Sequence, residues 1–230
     1  MKILALDTSG KTASVAITDG GRLLWEKTVY TRLTHSQVIL PMVKEALEQS
    51  ELGFKDLDCI AAANGPGSYT GLRIGIGAIK GICMGEPSLK AAGISTLLGL
   101  AYNCAAFDGR VIAVMRARPK IVYVGEVDCK NGIVTPTAKD RVCPEEQAFG
   151  SLDTSVKTML VGDSAEDIKA AWFDKNDNIV TAPKPLLLQK ASSICLAAEN
   201  SPEALTAADR LEVSYLQATK AEKDKAHSDS

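Results

Sequence analysis

Three short stretches of the chain carry residue types capable of chemistry. Asp7-Thr8-Ser9 follows the apolar run Ile3–Leu6 and precedes a second β-type run, Ala13–Thr18. At a strand tip such residues present hydroxyls and backbone N–H groups to phosphate, while the carboxylate handles a metal or a water. The same three residues also make an ordinary turn in which Asp7 accepts local hydrogen bonds. Gly65-Pro66-Gly67-Ser68-Tyr69-Thr70-Gly71 lets the backbone bend tightly and approach an anion at a helix start. It matches neither G-x-x-x-x-G-K-S/T nor G-x-G-x-x-G, and plain turning also accounts for Gly65 and Gly67. Asp7, Thr8, Ser9, Gly65 and Gly67 are thus the candidate anion- or nucleotide-binding set. The third stretch, Thr34-His35-Ser36, holds one of only two histidines. Its place at a helix start suits a cap or solvated edge better than the base of a catalytic triad.

The elements that must position these residues read as an α/β pattern. Leu23–Tyr30 is a third strand, joined to the second through Asp19-Gly20-Gly21, so Asp7-Thr8-Ser9 sits at the mouth of a meander. A helix is expected from Ser36 to about Gln49 with Pro41 near its start, then a buried strand at Asp58–Ala63. The next helix, Gly71 to Met84, is apolar nearly all round, carrying only Arg73 and Lys80 as charges. It is an internal helix, or it leaves surplus apolar surface for a partner. From Gly109 the pattern restarts, with Val111–Val114, a polar Arg116–Lys120 loop and Ile121–Val124. That echo of the first hairpin indicates a diverged duplication. A strand at Thr158–Val161, a helix over Glu166–Trp172, a strand near Ile179–Ala182 and a helix over Leu187–Glu199 follow. The expected domains are 1–104 and 105–216, with a polar tail at 217–230.

Composition bounds the function. The 230 residues carry 26 Lys+Arg against 28 Asp+Glu, a net charge of −2, which provides no basic footprint for gripping nucleic acid alone. Four apolar residues before Asp7 are too few for a secretory signal, and the low-charge stretch Ile74–Met84 is too short to span a bilayer. A cytoplasmic protein is expected, with no membrane role. Six scattered cysteines without a C-x-x-C read as reduced packing residues, and two histidines do not furnish a His-rich metal site.

Taken in order, Ile3–Ser9, His35-Ser36-Gln37 with Leu40-Pro41, Gly65–Gly75, Lys80-Gly81 and Gly93–Leu97 resemble the TsaB (YeaZ) family, the bacterial non-catalytic partner in threonylcarbamoyladenosine synthesis. The resemblance covers about the first hundred residues well and the second half loosely. It implies an actin-like ATPase (ASKHA) fold, α/β, of two duplicated RNase H-like domains with mixed sheets. It further implies a scaffold that pairs with the catalytic paralogue TsaD, works with the ATPase TsaE, and homodimerises when alone. The implied product is the threonylcarbamoyl group on adenosine beside the anticodon of tRNAs reading ANN codons, with tRNA met only within the complex. No cofactor is implied beyond weak ATP or ADP binding.

In that family the first two helices make the partner contact, which here designates Ile39, Val43, Leu47, Leu72, Ile76, Ile79 and Met84. The metal-binding His-x-x-x-His of the catalytic paralogues corresponds to Thr96 and Leu100, neither a serviceable ligand. Arg116-Ala117-Arg118 stands where relatives often have Asp-Ala-Arg, Ile121 where Glu is usual, and Gln37 where many have Glu. Arg116, Arg118 and Lys120 can favour phosphate electrostatically. The competing readings are an autonomous actin-like ATPase, a glycoprotease-type peptidase and a pure nucleotide-binding regulator.

Overall fold

The computed structural model describes residues 1–30 and 34–216; the polar tail expected at 217–230 lies outside the described residues. The chain opens as the expected meander, β1 (Lys2–Asp7), β2 (Thr12–Asp19) and β3 (Arg22–Tyr30). Gly20 and Gly21 make its second turn at φ +54° and +76°, the left-handed pair that a tight two-residue hairpin requires. Helix α1 (His35–Gln49), β4 (Cys59–Gly65), α2 (Tyr69–Gly85), β5 (Lys90–Ser95) and α3 (Thr96–Tyr102) complete the first half. The second half comprises β6 (Gly109–Arg118), β7 (Ile121–Lys130), β8 (Ile133–Pro136), β9 (Arg141–Pro144), α4 (Glu145–Phe149), β10 (Thr158–Val161), α5 (Ala165–Trp172), β11 (Ile179–Thr181) and α6 (Ala191–Glu199). A two-residue strand, β12 (Leu205–Thr206), ends the sheets.

The sheets repeat one topology. The first runs β12-β5-β4-β1-β2-β3 and the second β11-β10-β6-β7-β8, with β9 also paired to β7. In each, three antiparallel strands are extended by two parallel ones, β4 and β5 in the first and β10 and β11 in the second. Each half also places a helix before, between and after its two parallel strands. The duplication read from the sequence is therefore one of topology, with β9 and β12 as additions.

The contiguous division at residue 104 needs correction. Helix α3 closes the first half in sequence but packs on β6 and β7, while α6 closes the second half and packs on β1, β2 and β4. Leu97, Leu100 and Ala101 lie in the core of the second sheet, and Ala191, Ile194, Cys195 and Ala198 in that of the first. Residues 205–216 then return along the first sheet, where β12 pairs with β5 and Leu211 is buried. Each lobe thus lends its last helix to the other. The Ser95 hydroxyl, at the end of β5, adds a hydrogen bond to the Asp140 carboxylate of the second lobe.

Several elements differ from the sequence expectation for physical reasons. Helix α2 begins two residues before Gly71 because the Ser68 hydroxyl accepts the Gly71 N–H at 3.2 Å and supplies its cap. Gln37 serves α1 structurally, its side-chain oxygen taking the Thr34 N–H at 3.1 Å. Helix α6 starts only at Ala191, since residues 187–190 run irregularly and carry the buried Gln189 toward Gly10. Strand β5 is not marked in the sequence, because Lys90-Ala91-Ala92-Gly93-Ile94-Ser95 is short and shows no alternation, as a strand between two neighbours need not. The six cysteines are buried and unpaired. No helix among the described residues is long and apolar enough to cross a membrane.

The exchanged helices meet where Ile194, fully buried, fills the space left by Gly99. Ile194→Ala is expected to lower stability by about 2–5 kcal/mol, the range for a large-to-small change in a packed core. Denaturant titration followed by fluorescence and far-UV circular dichroism measures it. The expected result is one cooperative transition moved to lower denaturant; separate transitions for the two lobes would contradict the interlocked packing.

Candidate functional site

The candidate residues at the first hairpin do come together. The β1–β2 loop and the loop before α2 lie against one another, with Ser68 N–H donating to the Ser9 carbonyl at 2.7 Å. The Thr8 hydroxyl donates to the Gly71 carbonyl at 2.7 Å, and the Ser9 hydroxyl and N–H both reach Asp7 Oδ1, at 2.6 and 2.9 Å. Only glycine permits this contact. A Cβ on residue 71 would stand 2.0 Å from the Thr8 carbonyl oxygen, one on residue 67 would stand 2.4 Å from the Ser9 carbonyl oxygen, and one on residue 75 would stand 2.7 Å from the Thr8 hydroxyl. Gly65, at φ +133°, is covered by the Ser214 carbonyl, which would lie 2.2 Å from its Cβ. The Gly-rich motif is therefore a packing device through which helix α2 rests on the first hairpin.

That packing decides the fate of the anion-binding expectation. Asp7, Thr8 and Ser9 are each 1% exposed, and the polar groups described above are spent on one another. Gln189 occupies the space beside Gly10, where a Cβ would fall 2.4 Å from its Oε1. An actin-like fold implies a nucleotide, but this residue set does not fit its phosphates: the expected donors face inward. Burial also raises the Asp7 carboxyl from 3.8 to about 6, against the opposing effect of the two Ser9 hydrogen bonds.

The second hairpin is likewise turned on its own lobe. Glu145, buried at the start of α4, pairs with the Arg116 guanidinium and, at 3.6 Å, with Lys120. Trp172 Nε1 donates to it at 3.5 Å. The Arg116 hydrogen bond, followed by the Trp172 hydrogen bond and the two cations, holds the Glu145 carboxyl below its ordinary range despite burial. The phosphate-favouring role expected of Arg116 and Lys120 is thus offset by an internal carboxylate. Thr96 and Leu100, at the start and middle of α3, face the protein interior.

The expected partner-binding set also needs correction. Ile39, Val43, Leu47, Leu72, Ile76 and Ile79 are buried within the first lobe, because the wide apolar faces of α1 and α2 cover their own sheet. Of the seven, Met84 alone is exposed, at 84%. Apart from Met84, and from Val43 and Leu47 at the floor of a groove, the outward surface consists of other residues. On α1 it includes Leu40, 50% exposed; on α2 it includes the half-buried Ile74, Ala78 and Ile82. Gly77, Gly81 and Gly85 share that side of α2, and a Cβ at any of them would meet nothing within 4 Å. A spacing of four residues is one helical face, so the glycines themselves mark this side in the sequence. Between α1 and α2 an apolar groove of about 420 Å³ is lined by Leu40, Leu47, Leu52, Phe54 and Ile82 among others.

Comparison with known proteins agrees with the fold and names its family. The family model described as TsaD, tRNA N6-adenosine threonylcarbamoyltransferase, matches residues 30–215. TsaB of Escherichia coli is 39% identical over 136 residues, 58% of either chain. TsaB of Buchnera aphidicola subsp. Schizaphis graminum is 30% identical over 209 residues, 86% of this chain and 94% of that one. A crystal structure from Pseudomonas aeruginosa, of a protein with similarity to peptidase YeaZ, superposes with a TM-score of 0.81 at 26% identity, over 94% of this chain and 99% of that one. EutJ of Carboxydothermus hydrogenoformans, 14% identical over 86% of this chain and 90% of that one, shares the fold alone at a TM-score of 0.52. The chain is thus an actin-like ATPase-fold protein of the threonylcarbamoyltransferase-related group. Within that group it belongs to the TsaB (YeaZ) family. The match to the Escherichia coli relative spans a little over half of that protein's length.

The buried carboxyl generates a pH-dependent expectation. Asp7 keeps a proton in the folded state up to about pH 6 but loses it near 3.8 when unfolded. Its stabilising effect is therefore full below the unfolded value and is lost as pH rises through about 6. Asp7→Asn cannot ionise. It should match the parent near pH 4 and exceed its stability near pH 8 by up to about 3 kcal/mol. Urea titrations at both pH values check this, and an equal effect at the two would show that burial does not govern the carboxyl.

Proposed function

We propose that this chain is a non-catalytic subunit of the machinery that forms threonylcarbamoyladenosine on tRNA, acting by docking a TsaD-type catalytic paralogue. The observation that carries the proposal is the outward face of α2. Glycine in a helix interior costs about 0.5–1 kcal/mol relative to alanine, and at Gly77 and Gly81 the first lobe gains no close contact in return. Close approach of a second helix across that face, with Ile74, Ala78 and Ile82 beside it, explains why the cost is borne. Such a helix can rest backbone against backbone, while the α1–α2 groove receives its larger apolar side chains.

The internal features support a helper role. The Asp7-Thr8-Ser9 and Gly65–Gly71 stretches are used in packing, and the positions corresponding to the paralogue's histidine pair are Thr96 and Leu100 inside the core. On this reading TsaE and tRNA join through the assembled complex, and nucleotide is handled by the other subunits.

The test uses the open space at position 81. Gly81→Ala should stabilise the isolated chain by about 0.5–1 kcal/mol, while Gly81→Leu should fold normally and abolish association with TsaD from the same organism. Co-purification and thermal melts provide both readouts. Undiminished association of Gly81→Leu would refute the docking role. Ile76→Glu and Val43→Glu would be poor probes, because charge at these buried sites disrupts the first lobe itself.

A further inference from the structure

We propose that Arg73 is the charged anchor of the docking face, held in place by Tyr69 and Tyr215 so that its guanidinium takes a carboxylate of the partner subunit. This rests on the docking reading above and identifies the chemistry recognised there. Arg73 lies one turn before Gly77, on the same outward side of α2. Its Cζ stands 4.0 Å from the centroid of the Tyr69 ring, and its Nε donates to the Tyr215 hydroxyl at 3.0 Å. The two tyrosine rings stack with centroids 5.3 Å apart and planes 25° from parallel.

Tyr215 is brought there from the other end of the chain. Leu211 is buried against the first lobe, Lys80 Nζ donates to the Asp209 carbonyl at 3.2 Å, and Ser214 N–H donates to the Asn64 carbonyl at 2.7 Å. The returning segment is thus fastened along α2 and ends with its aromatic ring on Tyr69. An exposed arginine ordinarily samples many rotamers, and fixing them opposes binding. Here two tyrosines fix the side chain beforehand, although no carboxylate lies within salt-bridge distance of it among the described residues. A preorganised guanidinium beside an apolar helix face, with no ion-pair partner among the described residues, has the attributes of an interface hot spot.

The surroundings favour a protein carboxylate over phosphate. Nucleic-acid binding needs clustered cations, whereas Lys44 pairs with Glu48 and Lys80 is engaged by Asp209. Arg73 lies two helical turns from Lys80, and one planar fork suits one carboxylate. If two copies packed antiparallel with Gly77 against Gly81, Arg73 would face Gly85, beside a Glu86 whose carboxylate already takes the Ser88 hydroxyl at 2.8 Å. One hydroxyl leaves that carboxylate able to accept a guanidinium as well, so pairing with a second copy is the competing outcome, and the docking role proposed above is what assigns the carboxylate to a different chain.

The experiment measures the affinity of the full-length chain for TsaD from the same organism by calorimetry at low and high salt, with thermal melts as a folding control. Arg73→Gln should weaken binding about tenfold or more, Arg73→Glu further still, and both should flatten the salt dependence. Tyr215→Phe, which keeps the ring and removes only the hydroxyl, should weaken binding about threefold and leave the salt dependence in place. Normal affinity of both Arg73 variants, with Gly81→Leu still unable to bind, would overturn the anchor and leave the docking face standing. Normal affinity of Gly81→Leu would remove the docking face and the anchor with it. Loss of self-association alone, or of tRNA retention alone, with TsaD affinity unchanged, would also overturn the proposal.

Discussion

The contact between the Thr8 carbonyl and Gly71 is the constraint on which the rest of the molecule depends. It places the first turn of α2 directly on the end of β1, at a distance no side chain would allow. From that single approach follow the burial of Asp7, the closure of the loop by Ser9 and Ser68, and the orientation of α2 along the sheet. Once one side of α2 is committed to the sheet, the glycines spaced at four residues come out on the other. The glycines of this helix accordingly do two different jobs. Gly71 and Gly75 let the chain approach itself, whereas Gly77, Gly81 and Gly85 leave a smooth track outside.

Much of the architecture was legible in the sequence because its elements announce themselves locally. The Gly20-Gly21 turn fixes the first hairpin, the period of α1 is helical, and Val111–Val114 with Ile121–Val124 repeats the opening pattern. The exchange of α3 and α6 was not legible, because hydrophobic period states only that a face is covered. Leu97 and Ile194 need a core; nothing in their own neighbourhood says which. The candidate site was legible in part for the same reason. Glycine and hydroxyl residues show where backbone approaches closely, but their types do not distinguish a phosphate from a neighbouring carbonyl. Likewise the apolar residues of α1 and α2 proclaim burial, and most of them prove to serve the lobe's own core, while the outer side carries Leu40, Ile74, Ile82 and Met84 between glycines.

The second hairpin illustrates how a charge can be retained without serving a ligand. The fold accommodates Arg116 by placing Glu145 at the start of α4, with Trp172 as a second donor. A buried carboxylate needs such partners, since an unpaired one is costly. The result ties the hairpin tip to α4 and α5. Both hairpins of the duplicated unit are therefore fastened to their own surroundings.

The exchange of final helices has a consequence for the order in which the chain can acquire its shape. Synthesis delivers five of the six strands of the first sheet before residue 100, yet α6, which covers one side of them, comes only after residue 190. Until then Ile3, Ala5 and Ala16 lack the helix that shields them from water. Long-separation contacts of this kind slow folding and prolong the life of exposed apolar surface. The amino-terminal lobe therefore stays without its cover until the chain has been made past residue 190.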